Sequence, residues 1–333
     1  MAKRRARRSS ARSGIGCLLL LVLVVVGAGW LFVHRNWTGP GPAEHPTTVV
    51  VPQGATLAAA ARELEKVGAV RSTTGFLRFA RRFGSSEPIR AGEYEVAPHM
   101  SARDILTLLQ SGRTVQRLVT IPEGMPSILV FERIAGEKLL TGKLPIPPEG
   151  SVLPGTYSFQ RGEPRRAVLK RMQDAMTHTL DQLWMRRKAN TVVNSKAEAV
   201  TLAAIVEKET GVPVERPMVA GVYSNRLRTG MRLQADPTII YPITRGKPLG
   251  RRIRLSEVRQ VNDYNTYAMT GLPKGPITNP GRDAIAAVLT PANTKALYFV
   301  ADGKGGHVFA DTLADHNANV QRYYRLRRAQ GAR

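Results

Sequence analysis

Cysteine is almost absent. Cys17 is the only one in 333 residues, so no internal disulfide can form and the fold must be held by its core. This does not exclude an extracytoplasmic location. Histidine is scarce as well: the six lie at 34, 45, 99, 178, 307 and 316, without an HxxxH pair. With no second thiol, that leaves no metal-ligand cluster, and no cofactor is expected. A Gly-x-Ser-x-Gly nucleophile elbow is missing too. Acid is short: 25 Asp and Glu stand against 49 Lys and Arg, for a net charge of +24. Such a surface suits polyanions such as nucleic acid, anionic lipid or an acidic cell-wall polymer. A solvated arginine-rich surface with no partner is the plainer account. Aromatics make up only 6%, and the arginine runs have few between them. Nucleic acid is therefore not expected as a partner, since single strands need stacking rings beside the charge.

Lys3, Arg4, Arg5, Arg7, Arg8 and Arg12 precede an uncharged run from Ser13 to Val33, and Leu18 to Val26 is wholly Leu and Val. About 20 apolar residues cross a bilayer as a helix. Upstream basic residues keep that end in the cytoplasm and put the body outside. The rival is a cleaved signal peptide, with Gly27 and Gly29 near a possible cut. The run continues through Trp30 to Val33, which favours an uncleaved anchor, and Trp37 is placed to sit at the interface. The expected organisation is a basic tail (1–13), a span (14–33), a Pro- and Gly-rich linker (34–46), a small module (47–120), a larger domain (121–325) and a basic tail (326–333).

The small module reads β-α-α-β-α-β. Strands are expected at Thr48–Val51, Gly92–Val96 and Arg117–Ile121, with helices at Leu57–Val67, Phe76–Phe83 and from Ser101 to Leu109. In the larger domain, Pro164–Ala189 and about Glu215–Arg228 read as helices. Residues 296–300 and 307–310 form a hairpin around a glycine-rich turn. The fold class is thus α+β. In GMRLQADPTIIY, residues 230–241, Met231, Leu233 and Ala235 face one way if the segment is extended. Arg232, Gln234 and Asp236 then face the other. The stretch from Tyr264 to Gly281 is too polar and too broken by Gly and Pro for a core. It reads as a groove wall suited to sugars, or as an ordered structural loop.

The chain is organised around SKAEAVTLAAIVEKETG, residues 195–211. Ser195 and Glu198 have capping-box spacing. Ala199 to Val206 is apolar except for Thr201, so the helix is buried nearly all round. Gly211 and Pro213 stop it. Two carboxylates, Glu207 and Glu209, stand at its C-terminal end, where the dipole favours cations. An acid beside an apolar run is poorly solvated, which raises its pKa and keeps a proton available near neutral pH. The plain alternative is that both emerge into water or pair with Lys208, Arg216 or another base.

IVEKET at 205–210, NRLRTGMRLQADPTIIY at 225–241, YNTYAMTGLP at 264–273, NPG at 279–281 and YFVADGKGGHVFADTLADHN at 298–317 resemble the endolytic murein transglycosylases, the YceG-like family. The resemblance covers about residues 47–325. It implies a LysM-like module at 47–120 and an outward-facing catalytic domain at 121–325, in the cell (inner) membrane with the N-terminus cytoplasmic. It implies cleavage of β-1,4 links after N-acetylmuramic acid inside peptidoglycan glycan strands, leaving 1,6-anhydro ends and terminating strand elongation. Peptidoglycan synthases become candidate partners. The resemblance assigns the catalytic acid to the first Glu of IVEKE, Glu207. Ala204 stands where the family often carries Ser.

Glycosidases usually need two carboxylates. A lytic transglycosylase needs one, which protonates the leaving oxygen and then accepts the proton of the attacking C6 hydroxyl. At helical spacing Glu207 shares its face with Val200, Ala203 and Ala204, and Glu209 shares its face with Leu202, Ile205 and Val206. The small face is expected to admit a sugar, which again favours Glu207, with Glu209 orienting the site. Gln234, Asp236, Asn265, Tyr267 and Asn279 are the other expected substrate-binding residues. A non-catalytic wall-binding anchor is the alternative.

Overall fold

The computed structural model describes residues 6–189, 191–329 and 331, and side chains from residue 18 onward. Lys3, Arg4 and Arg5, and the end of the basic tail at residues 330, 332 and 333, lie outside the described residues. The chain divides into two compact units, 1–117 and 118–333.

In the first unit, α1 (Ala6–Val33) carries the apolar run. Residues Leu18–Thr38, 21 in number, are long and apolar enough to cross a membrane, spanning about 30 Å at ~1.5 Å per residue. One π-helical turn, His34–Thr38, follows directly. Residues 34–46, expected as a Pro- and Gly-rich linker, pack against the unit at several points. Trp37 is 3% exposed and stands 6.3 Å from the rings of both Phe76 and Phe79. It belongs to the core of the unit, and not to an interface. Arg71 donates to the carbonyls of Arg35 and Pro40 at 2.9 and 3.1 Å. Gly41 lies so close to Met100 that a Cβ would sit 2.1 Å from the carbonyl oxygen. The Pro and Gly content that reads as flexibility permits close packing instead.

The rest of the unit runs β1 (Thr47–Val51), α2 (Leu57–Lys66), α3 (Thr73–Phe83), β2 (Gly92–Val96) and α4 (Ala102–Ser111). β1 and β2 pair antiparallel from Thr47↔Val96 to Val51↔Gly92. Alternation puts Val49, Val51, Tyr94 and Val96 inside, against Leu64, Phe76, Ile105 and Leu109. Thr56, Ser72 and Ser101 cap the three helices by accepting from the amide three residues on.

The second unit holds most of β3 (Arg117–Ile121), then α5 (Ser127–Gly136), β4 (Gly155–Phe159), α6 (Arg165–Met185), α7 (Lys196–Glu209) and α8 (Arg216–Arg228). It continues with α9 (Pro237–Thr244), α10 (Leu255–Arg259), α11 (Arg282–Leu289), β5 (Tyr298–Ala301), β6 (His307–Ala310) and α12 (Leu313–Ala329). Among the described residues the strands form pairs only: β1 with β2, β3 with β4, and β5 with β6. Two-stranded ribbons are marginal alone, so helix packing dominates this mixed α+β fold. α7 is central. Residues 199–206 are all buried, and Leu202 and Ile205 join Val219, Tyr223, Ile285 and Val288 of α8 and α11 in one core.

Candidate active site

The start of α7 is fastened as its spacing predicts, with one shift. Ser195 Oγ accepts from the Glu198 amide at 3.1 Å, while the Glu198 carboxylate reaches back one residue further, to the amide of Asn194 at 2.7 Å. The helix then delivers Glu207 and Glu209 to two separate clusters.

Glu207 lies in an ion-pair cluster, and its side chain is 4% exposed. One oxygen accepts from Arg216 Nη2 at 3.0 Å and the other from the Gly281 amide at 2.8 Å. Arg216, itself 8% exposed, also donates to Glu123 at 2.7 Å and lies 3.7 Å from Asp283. Gly281 is held so close that a Cβ would fall 2.1 Å from a Glu123 oxygen. Burial raises the Glu207 pKa, whereas the Gly281 amide and the Arg216 charge pull it down. Burial is the larger effect, with the Glu123 charge adding to it, so the Glu207 carboxyl is held above its ordinary value despite the two donors.

Glu209 is shifted in the same direction. Burial, with the charge of Asp236 nearby, pushes its carboxyl up to about 7, against the opposing effects of the Tyr223 hydroxyl and Arg226. Tyr223 is 1% exposed and hydrogen-bonds Glu209. Oε1 of Glu209 is buried and meets no partner. Arg226 is occupied elsewhere, donating to the carbonyls of Leu297 and Leu233 at 2.7 and 2.6 Å. A carboxylic acid that holds its proton close to neutral pH is in the protonation state a general acid needs.

The resemblance gives the acid to Glu207, and the small helix face was expected to add a reason by leaving room for a sugar. That premise is corrected: Ala203 and Ala204 are fully buried, and Val200 packs so near Gly150 that a Cβ there would be 2.7 Å away. The plain alternative, pairing with Arg216, is what Glu207 does.

The remaining predicted residues separate into two groups. Gln234 and Asp236 are exposed while Leu233 and Ala235 are buried, so the predicted alternation holds. The segment is not a strand, because Gln234 takes a left-handed φ of 50° and α9 begins at Pro237. Tyr267 is half-buried and donates to Asp236 Oδ1 at 2.7 Å. Asp236 and Tyr267 are thus brought together beside Glu209. Asn265 and Asn279 are 0% exposed, and their amides are spent on the protein. Asn265 donates to the carbonyls of Gln260 and Val258 at 2.6 and 3.0 Å and accepts from the Tyr267 amide at 3.0 Å. Asn279 accepts from the Val152 amide at 3.0 Å and donates to the Met125 carbonyl and Ser127 Oγ at 2.9 and 3.1 Å. The expectation that these two bind substrate is corrected: they brace loops. Glu123, Gly281 and Tyr223 were not foreseen, and no local spacing points to them. Among the described residues no group of His, Cys, Asp and Glu is placed to hold a metal ion.

The sequence matches the YceG-like family over residues 49–322. It is similar to the endolytic murein transglycosylase of Bacillus subtilis, 28% identical with 90% of this chain and 91% of that protein covered. The endolytic murein transglycosylase of Streptococcus pneumoniae strain D39 is 30% identical over 82% of this chain. There the chain spans only 57% of the relative's length. The crystal structure of a yceG-like protein from Listeria monocytogenes is similar, with a TM-score of 0.51 at 26% identity over 83% of this chain and 99% of that one.

Proposed function

The chain belongs to the YceG-like family, and from that premise we propose that it is a membrane-anchored lytic transglycosylase cutting MurNAc-β-1,4-GlcNAc bonds within peptidoglycan strands. The observation that carries the chemistry is Glu209, a buried carboxyl shifted up to about 7 with an unpartnered oxygen. We assign it the role of acid and base. Its proton passes to the glycosidic oxygen as the bond from C1 to that oxygen breaks. The C6 hydroxyl of the same MurNAc then bonds to C1, and its proton returns to Glu209. No water is consumed, and the product ends in 1,6-anhydroMurNAc. One carboxyl serves both halves of the step.

Glu207 is the positioning partner. Its pair with Arg216 and its bond to Gly281 tie α7 to α8, to the loop carrying Glu123 and to the start of α11. Asp236 and Tyr267 flank the acid, and Asp236 helps to keep the proton on it. Gln234, exposed two residues before Asp236, is the further residue offered to substrate. The β1-α2-α3-β2 arrangement supports a LysM-like reading of the first unit, and α1 supports a single-pass anchor with the body outside the cytoplasm. Synthases that extend the strand are the partners this position would serve, and the cut would end elongation.

Mass spectrometry of digested glycan strands is expected to find 1,6-anhydro ends from internal cuts, with full activity in a chelator. Reducing ends would make the protein a hydrolase. No cleavage by folded protein would leave a wall-binding anchor. Alkaline carbonate washing of membranes is expected to leave the full-length chain in the pellet, since α1 stays attached. A mature N-terminus near Trp30 would remove the anchor.

A further inference from the structure

We propose that the groove at the C-terminal end of α9 is a remote sugar subsite, in which an N-acetylated pyranose of the substrate strand lies against Tyr241 and Tyr264. The inference rests on the transglycosylase reading and adds to it a place where the enzyme senses strand length.

The groove has a volume of about 420 Å³. Tyr241 and Tyr264 stand with ring centroids 4.9 Å apart and planes tilted by 49°, which makes an angled aromatic wall. Ile146 lies in the same lining. An aromatic face of this kind covers the C–H patch of a pyranose. The polar floor is rigid. Glu149 accepts from the Ser127 amide at 2.8 Å and from Asn279 at 3.4 Å, and it is hydrogen-bonded by the Tyr241 hydroxyl. Burial raises its pKa, which suits a group that meets hydroxyls and amides, and not cations. At the rim Arg245 is exposed and holds a left-handed φ of 55°. That conformation ends α9, with the Arg245 amide donating to the Tyr241 carbonyl at 2.8 Å. Arg245 is part of the lining and supplies its cationic donor group.

Position argues for the same occupant. α9 has eight residues, about 12 Å at ~1.5 Å each. Asp236, beside the acid, stands just before its start, Tyr241 is its fifth residue, and Arg245 stands just past its end. The floor is tied to the catalytic region a second time: Asn279 bonds Glu149, and two residues on, the Gly281 amide bonds Glu207. A sugar in the groove and a bond at Glu209 therefore belong to one strand only if that strand is long. Occupancy would favour cuts inside long strands over cuts in short ones.

The test uses the full chain in detergent and peptide-free glycan strands of two lengths, a tetrasaccharide and long polymer. The readout is the ratio of kcat/KM for long over short. Tyr264→Ala is expected to lower that ratio about tenfold, the scale of one lost aromatic contact, mainly through KM. Tyr264→Phe keeps the ring and should hold the parental ratio. Arg245→Gly suits the backbone and disturbs no core, so it is expected to lower the ratio by a smaller factor. Equal losses on both lengths, or an unchanged ratio in Tyr264→Ala and Arg245→Gly, would overturn the proposal. So would an effect confined to strands that carry stem peptides, since that marks a peptide site. If the parent forms no anhydro ends at all, the transglycosylase reading fails. Equilibrium binding of the long strands to parent and Tyr264→Ala then still decides the subsite.

Discussion

Glu209→Gln is expected to cut activity toward the upper end of the ~10²–10⁴-fold that general acid–base help supplies, because one group serves both half-steps. Gln has the shape of the protonated acid, so Tyr223 keeps its acceptor and the fold stays intact. Glu207→Gln should cost less: the amide oxygen still accepts from Gly281, although its NH2 then faces Arg216, so the charge and the acceptor there are lost while no proton-transfer group is removed. The parent should lose activity as pH rises through about 7, where Glu209 gives up its proton. Stability follows the same group. The unfolded chain ionises Glu209 near 4.5 and the folded chain near 7, so the native state holds the extra proton in between. Rising pH therefore erodes stability across that window, on the order of 3 kcal/mol in all, and the loss is complete above it. Glu209→Gln should remove this slope and unfold at higher denaturant than the parent at pH 8. Rates and denaturation curves on the three proteins decide the matter. An active Glu209→Gln beside a dead Glu207→Gln would return the acid to Glu207.

Arg216→Ala is expected to destabilise the second unit by about 3–5 kcal/mol, the usual penalty for stranding one partner of a buried pair. Glu207, with its side chain 4% exposed, would keep its charge and lose the only cation that touches it among the described residues. Two features separate this from a general packing defect. The penalty should shrink as pH falls and the stranded Glu207 takes up a proton, its pKa already being raised by burial. The double variant Arg216→Met with Glu207→Gln should recover much of the loss, since neither charge then remains. A single-variant cost under about 1 kcal/mol, well short of that range, would show that water reaches the cluster and that Arg216 is not the strut described above.

Much of this arrangement was legible in the chain. The Ser195 cap, the all-round apolar α7 and the two terminal acids are local patterns, and local patterns survive folding. So does the alternation from Met231 to Asp236, because burial of Leu233 and Ala235 fixes it even without a strand. What was not legible depends on partners far along the chain. Glu123 meets Arg216 across 93 positions, and no spacing announces that. Asn265 and Asn279 mislead because a polar side chain in a loop reads as a side chain offered to solvent. Here loop carbonyls and amides with no helix or strand to satisfy them take up the two amides. The choice between Glu207 and Glu209 drew on helix faces as well as on the resemblance. Size of neighbouring residues was the wrong guide, since small residues on α7 bring other segments closer.

The packed junction after α1 has a mechanical meaning. Trp37, Arg71 and Gly41 leave no slack between the span and the first unit. A transmembrane helix answers a thicker or thinner bilayer by changing its tilt, at fractions of a kcal/mol per Å of mismatch. With a loose tether that tilt would be absorbed. For the anchor proposed above, this junction would turn tilt into rotation of the whole first unit, so that membrane thickness would be read as an angle of that unit.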